Sequence, residues 1–313
     1  MPSILIQDAG PQTTVQDLGR RGSLRVGIPP SGPMDREAFL LANRLVGNAD
    51  DAAGLECTFT GPRVEFADER WVAVTGAVMP VTLNGAVMPR WAAFEVEAGD
   101  VLRLGVARSG VRGYVAVSGG IDTPPVLGSR ATYLRGQLGG FEGRALLKGD
   151  CLPLGPASGS APAEVHEERI PDYTIEPTVR VVLGPQDDRF TKRGIAALFD
   201  APYEMTPQID RMGARLRGAR IEHTRGHDII SDGVALGGIQ VVGDGQPIVL
   251  LADRQSTGGY TKIGTVCSFD IGRVAQVTPG RRLRFRQVTV GEAHEFLRAY
   301  KKVLDDAIPF PSP

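Results

Sequence analysis

Cysteine is scarce in this sequence, and its scarcity removes two function classes together. Cys57, Cys151 and Cys267 are the only three, they stand far apart, and their number is odd. A disulfide framework needs an even, closely spaced set, and a thiol metal or redox site needs a CxxC pair, so neither is expected. A reducing, cytoplasmic setting fits best. Long apolar runs are missing as well: none approaches the roughly 18 residues of a membrane span. The opening MPSILIQDAG reaches Asp8 after a very short apolar patch with no basic segment ahead of it, so neither export nor membrane insertion is indicated. Nor is there an excess of charge of one sign. The chain carries 35 basic and 36 acidic residues, a net charge of −1, which gives no electrostatic draw toward nucleic acid or an anionic membrane. Small molecules and other proteins remain as partners.

Common catalytic signatures are absent too. There is no Gly-Lys dipeptide and hence no P-loop, no GxGxxG dinucleotide fingerprint, and no GxSxG nucleophile elbow. His223 and His227 have the i, i+4 spacing of metal ligands, but Gly226 and the flanking Ile221-Glu222 and Ile229-Ile230 pairs favour a strand and turn over one helix face. A structural zinc site normally shows a fuller Cys/His set, so no metal site is expected there.

What is present is turn chemistry. The 313 residues, 42% of them hydrophobic, suffice for one large or two modest domains with a substantial core. Forty glycines and 23 prolines cut the chain into short segments, the pattern of many strands in tight succession. The fold class is therefore mainly β with a few helices (α+β). Residues 81–88 predict a hairpin, because Asn84-Gly85 supplies the two positive-φ positions of a type I′ turn. A short repeat, GDVLRLG from Gly99 and GDCLPLG from Gly149, predicts a turn feeding an alternating strand, with a looser copy from Pro279 to Phe285. One helix should follow Asp35 as N-cap and stop at Gly47. Another should start at Thr289, in a capping box with Glu292, and bury Ala293, Phe296, Leu297, Tyr300 and Leu304. A third should lie between residues 187 and 199. Residues 155–177, rich in Pro, Ala, Ser and Glu, read as a linker between two halves.

Three polar constellations carry chemistry. The first joins TTVQDLGR, with Asp17 and Arg20, to PPSGPMD, with Ser31 and Asp35. Asp17 and Arg20 either bind substrate or tie a loop together as an ion pair, and Asp35 is a helix cap whose helix also offers free amides to an anion. The second is QIDRMG, in which Arg211 offers a planar fork for a carboxylate or phosphate and Asp210 either holds it or forms a plain salt bridge with it. The third is residues 251–263, LADRQSTGGYTKI. A polar run directly after an apolar strand predicts a surface, and here a site. Gly258 and Gly259 would let backbone N–H groups approach a ligand while Asp253, Gln255, Thr257 and Lys262 reach it. Lys262 stands out among only five lysines, although a general preference for arginine explains that scarcity equally well.

These stretches, together with GPRVEF, GVRGYVAVSGGIDTPPVLGSR, VRVVLGPQ, DRMGARLRG, IISDGVALGGIQVVGDGQPIVLLADRQSTGGYTKIGTV and AQVTPG, resemble one family over residues 4–290. It is the biotin-dependent carboxyltransferase-like family, whose members are called allophanate hydrolase subunit 2 or the C-subunit of 5-oxoprolinase. Ile209 departs from it, standing where a small polar residue is expected. The resemblance implies two β-barrel-like subdomains: 1–160, then a linker at 161–177, then a cyclophilin-like 178–313 with its terminal helix. It implies a partner of the allophanate hydrolase subunit 1 type, equivalent to the B-subunit of 5-oxoprolinase, with the A-subunit of that enzyme as a third component.

Two activities follow from the resemblance. In one, the complex uses ATP and Mg2+ to activate the lactam of 5-oxoproline on the way to glutamate. In the other, a carboxyl group passes from carboxybiotin to urea. A third reading is a non-catalytic regulator that antagonises a kinase inhibitor. Either enzyme needs cationic donors for charge on an amide oxygen, assigned to Arg211 and Lys262, and a carboxylate, assigned to Asp253 with Asp17 or Asp210 in reserve. Gln240 and Gln255 would read the edge of a small amide substrate.

Overall fold

The computed structural model describes residues 2–157 and 163–308. Its contacts divide the chain into two units, one of residues 1–21, 31–173 and 302–313, the other of residues 22–30 and 174–301. Of the 155–177 segment, residues 158–162 lie outside the described residues, as does the proline-rich tail after Ile308. Strands dominate, and the described residues contain four α-helices: Arg36–Leu45, Lys192–Asp200, Ile271–Ala275 and Val290–Ala307. None is long and apolar enough to cross a membrane.

In the first unit two sheets enclose one core. The six-stranded sheet holds Ser3–Asp8, Arg63–Phe66 and Val101–Leu104 among its members, and the five-stranded sheet is centred on Ser109–Val117. Alternation decides which residues face inward: Ile4, Ile6, Val64, Phe66, Leu102 and Leu104 from one sheet meet Leu55, Val72, Val74, Val115 and Val117 from the other. Cys57 lies in the same core, where burial pushes its thiol up to about 12 and leaves it inert. The expected hairpin is there, with Val81–Leu83 pairing Ala86–Val87 across Asn84 (φ 51°) and Gly85 (φ 89°).

The Gly-Asp repeat has a shared physical basis. Asp100 accepts the N–H of Glu97, and Asp150 accepts the N–H of Leu147, each closing the turn that feeds its strand. The third copy has Arg281 at that place. The helix Arg36–Leu45 is capped as expected, Asp35 accepting the Ala38 N–H at 3.3 Å. It packs on the five-stranded sheet, where the Thr75 hydroxyl donates to the Ala38 carbonyl and Phe39 meets Tyr114 edge-on at 6.0 Å.

The second unit is built on a closed seven-stranded barrel. Its order is Thr178–Leu183, Lys262–Val266, Gly238–Val241, Pro247–Leu250, Gly213–Arg217, Tyr203–Ile209 and Arg282–Gln287. Every pairing is antiparallel except the last, in which Arg282–Gln287 closes on Thr178–Leu183 in parallel. A two-stranded ribbon, Asp228–Gly233 with Thr257–Tyr260, completes the unit. The helix expected between residues 187 and 199 runs from Lys192 to Asp200, capped by Thr191. Gly194 is no defect in it: a Cβ there would come within 2.4 Å of the Glu222 carbonyl.

The helix Val290–Ala307 opens with the expected capping box, Thr289 and Glu292 bonding each other reciprocally. Of the apolar face assigned to it, only Leu304 is fully buried. Phe296 and Tyr300 are half-buried because they pack on a charged centre. Arg180 sits 4.8 Å from the Phe296 ring and 4.6 Å from the Phe269 ring, and Tyr300 lies 5.9 Å from Phe269. Asp270, wholly buried, grips Arg180 through both carboxylate oxygens at 2.7 Å.

Candidate functional site

The polar run after Leu250 is partly surface and partly interior: Thr257 and Tyr260 are exposed, but its charged residues are not. Asp253, Arg254 and Lys262 are 4%, 6% and 2% exposed. Burial is tolerated because each charge has a partner, the condition that composition alone does not reveal. Asp253 accepts from Arg211 through both oxygens, at 2.9 and 3.2 Å. Arg254 donates to the Val234 carbonyl at 3.1 Å, and Lys262 donates to Asp232 at 3.2 Å.

Asp210 is corrected on the same grounds. It does not hold Arg211; its side chain accepts the N–H groups of Met212 and Gly213 and shapes the turn between two barrel strands. Gly258 and Gly259 lie within the strand Thr257–Tyr260, which pairs with Asp228–Gly233. A Cβ at 258 would stand 2.3 Å from Gln240 Nε2, so a side chain there would displace that carboxamide. Thr257 is exposed at the start of that strand, opposite Gly233.

Around Gln240 the second unit assembles an amide and ammonium cluster. Gln240 and Lys262 face each other in register on adjacent barrel strands, which places their side chains side by side. Gln255 donates to Gln240 Oε1 at 3.4 Å. Gln240 is 2% exposed, yet its Nε2 has no hydrogen-bond partner among the described residues. A buried amide donor left open is uncommon, since the great majority of such groups are satisfied.

Two further residues complete the cluster. Gln186 accepts the Lys262 N–H at 3.0 Å and donates to Asp232 at 3.2 Å. Asp232 thus receives both Lys262 and Gln186, and the Lys262 hydrogen bond, more than any other cause, holds its carboxyl below the usual range. Neither Gln186 nor Asp232 is picked out by the sequence. They stand 76 and 30 residues from Lys262, and the only hint is their place inside the VRVVLGPQ and IISDG stretches.

The first unit holds the other candidates. Asp17 accepts from the Gly19 N–H, the Ser129 hydroxyl and the Arg130 N–H, so its two oxygens organise a loop. Arg20, 1% exposed, donates to Ser31 Oγ at 3.2 Å and to the Ala131 carbonyl. Ser31 itself adopts φ 58°, a conformation that non-glycine residues hold only where the surroundings impose it. Asp35, besides capping its helix, accepts from Tyr173 at 2.7 Å, and its N–H donates to Tyr114, which donates in turn to Glu56. Burial pushes both tyrosines well above their ordinary range. Asp17, Arg20 and Asp35 are thus each tied into the first unit by hydrogen bonds to its loops and helix.

His223 and His227 lie in the second unit with their rings 6.2 Å apart, His223 forming a bridge with Phe190. Among the described residues no three His, Cys, Asp or Glu side chains gather as a metal-holding group. A Mg2+ brought by a nucleotide commonly takes only one or two protein carboxylates beside the phosphates and water.

The carboxyltransferase domain family, subdomains A and B, matches residues 26–287. Among curated proteins the chain is 38% identical to the C-subunit of 5-oxoprolinase from Escherichia coli (strain K12), over 91% of each chain. It is 34% identical to the urea amidolyase of Saccharomyces cerevisiae, covering 96% of this chain but 17% of that one. Among solved structures it superposes on the K. lactis urea amidolyase with a TM-score of 0.93 at 32% identity, over 99% of this chain. It spans only 20% of that much longer protein. A match of this extent to sequence and fold alike settles membership: the chain belongs to the carboxyltransferase-domain family, subdomains A and B.

Proposed function

We propose that this protein is the C-subunit of an ATP-dependent 5-oxoprolinase, acting with a second family member to activate the lactam of 5-oxoproline. The observation that carries the reading is mutual coverage: the alignment with the E. coli 5-oxoprolinase C-subunit takes in 91% of both chains. The urea amidolyase match takes in a small part of a large enzyme.

The geometry of the second unit supports a lactam. A lactam presents a carbonyl acceptor and an N–H donor on one edge, the complement of a carboxamide. Gln240 offers the buried Nε2 that lacks a partner among the described residues, placed beside Gly258, which has no side chain of its own to displace it. Lys262, with one donor spent on Asp232, has two left for the carboxylate of 5-oxoproline or for charge gathering on the lactam oxygen. Gln186 and Asp232 fix the lysine in place. Arg211 and Asp253 engage each other through two hydrogen bonds, which hold the guanidinium and the carboxylate in a fixed mutual orientation. ATP supplies the activating phosphoryl group, and this chain's residues bind and orient the amide.

Carboxyl transfer to urea is the second reading, favoured by the family description and by the TM-score of 0.93 against a urea amidolyase. Urea is an amide too, and the same donors would serve it. Purifying the chain with its partner subunits and measuring ATP turnover separates the two. Stimulation by 5-oxoproline and not by urea is expected; the reverse would assign the chain to the urea system. Lys262→Ala and Gln240→Leu should each lower 5-oxoproline-dependent turnover about 100-fold, the scale of a lost oxyanion donor. Full activity in both variants would overturn the residue assignments.

A further inference from the structure

At one end of the six-stranded sheet of the first unit lies a cleft of about 410 Å3, within the size range of small-ligand sites. It contains none of the residues assigned above to the second unit's amide and ammonium cluster, although the GPRVEF and GDVLRLG stretches contribute Arg63 and Arg103 to it. Its floor is backbone. Gly61 N–H bonds the Gly105 carbonyl, and a Cβ on Gly61 would fall 2.2 Å from Leu104 Cβ, so no side chain can fill the space from that position.

The walls are cationic. Asp8, Arg63, Arg103 and Thr82 form one cross-strand row, with Arg63 and Arg103 directly opposite each other. Like charges so placed repel and destabilise the sheet unless something lies between them. Lys148 joins them from a turn clamped to the first strand by the Gly149 N–H to Ile6 and the Ile6 N–H to Asp150.

The neighbouring acids are committed elsewhere. Asp150 pairs with Arg144 at 2.7 Å, Glu65 accepts from Gln7, and one Asp8 oxygen accepts the Gly10 N–H. Among the described residues no carboxylate lies within 4 Å of the Arg63, Arg103 or Lys148 nitrogens. Three cations, Arg63, Arg103 and Lys148, thus face one lining carboxylate, Asp8, an excess of two positive charges. A β-bulge between Ile6 and Asp8 re-aims the strand at this point, as bulges beside binding sites do.

We propose that this cleft binds a small anion bearing a doubly charged phosphate group. A single carboxylate would leave one positive charge unanswered; a phosphate dianion matches the excess and gives each guanidinium fork two oxygens. The site lies wholly within the first unit and stands whether or not the 5-oxoprolinase reading does.

Calorimetric titration of the full chain at low salt tests it, with inorganic phosphate, pyrophosphate and ATP as metal-free probes and glutamate as the carboxylate control. Saturable binding of the phosphate compounds, with glutamate at least about tenfold weaker, is expected. Arg63→Gln with Arg103→Gln, and separately Lys148→Gln, should weaken phosphate binding about tenfold or more, while Arg217→Gln on the second unit should leave it unchanged. ATP binding more tightly than pyrophosphate would identify a nucleotide as occupant, and equal affinity would identify the phosphate group alone; both support the proposal. No saturable phosphate binding, glutamate binding as well as phosphate, or undiminished binding in the variants would each overturn it. Thermal unfolding without anion provides an independent readout: the double variant should melt no lower than wild type, because it removes repulsion, and a lower melting point would count against the cleft's being an anion site.

Discussion

Gly258 and Gln240 form a pair in which the smaller residue makes room for the larger. The Gly258→Ala methyl would sit 2.3 Å from Gln240 Nε2, so the carboxamide must rotate away from the place where it would meet a substrate carbonyl. The expected result is a folded protein with 5-oxoproline-dependent turnover reduced at least tenfold and a raised KM, read from steady-state kinetics of the assembled complex. Unchanged kinetics would show that the Gln240 donor is not used.

His223 sets a second expectation at this scale. Burial, the largest cause, lowers its pKa from the ordinary value, and its Nε2 lies 3.0 Å from the Thr261 hydroxyl. Between the lowered folded value and the unfolded value of about 6.5, the unfolded chain holds more protons than the folded one. Stability therefore rises with pH across that window and falls as pH drops below about 6.5. Chemical denaturation at pH 7.5 and pH 5.5 should show a stability loss that His223→Gln reduces. An equal loss in the variant would place the pH dependence elsewhere.

Among the elements, the barrel strand Thr178–Leu183 and the short helix Ile271–Ala275 are joined by Arg180 and Asp270. The carboxylate is wholly buried and receives three bonds from Arg180, whose guanidinium lies against two aromatic rings. Asp270→Ala would leave that guanidinium without its carboxylate, a loss of about 3–5 kcal/mol, visible as a fall in the denaturation midpoint. Thr289→Ala, which removes one half of an exposed capping box, should cost only about 1 kcal/mol. A reversal of that order would mean that Arg180 finds another partner.

The same elements show what could be read from the chain in advance. The Asn84-Gly85 hairpin, the Asp35 cap and the Thr289 capping box were legible because each depends on residues within a few positions of one another. The pairing of Arg211 with Asp253 was not legible, because it spans 42 residues and Asp210 stands next to Arg211 in the sequence. The burial of Asp253, Arg254 and Lys262 was not legible for the same reason: whether a charged residue lies at the surface or inside depends on partners such as Val234 and Asp232 that only folding delivers. Gln186 was invisible because its role rests on where a loop meets a distant strand.

For the molecule as a whole, the family fixes the architecture more firmly than the reaction. The same fold serves as a stand-alone polypeptide in E. coli and as roughly a fifth of a fused enzyme in yeast. Activity should accordingly appear only on assembly. The isolated chain is expected to show no turnover of 5-oxoproline with ATP, and mixing with the other subunits should restore it. Turnover by the chain alone would refute the dependence on partner subunits.

The parallel seam of the barrel has a consequence for how the protein is made. Thr178–Leu183 and Arg282–Gln287 are joined only once about a hundred intervening residues are in place, and such non-local pairing is slow. Until then the nascent chain presents two bare strand edges to the crowded cell, each a template for wrong association. A stop codon or a protease cut just before Arg282 would not merely shorten the protein; it would leave an open sheet, and the expected fate of that fragment is precipitation.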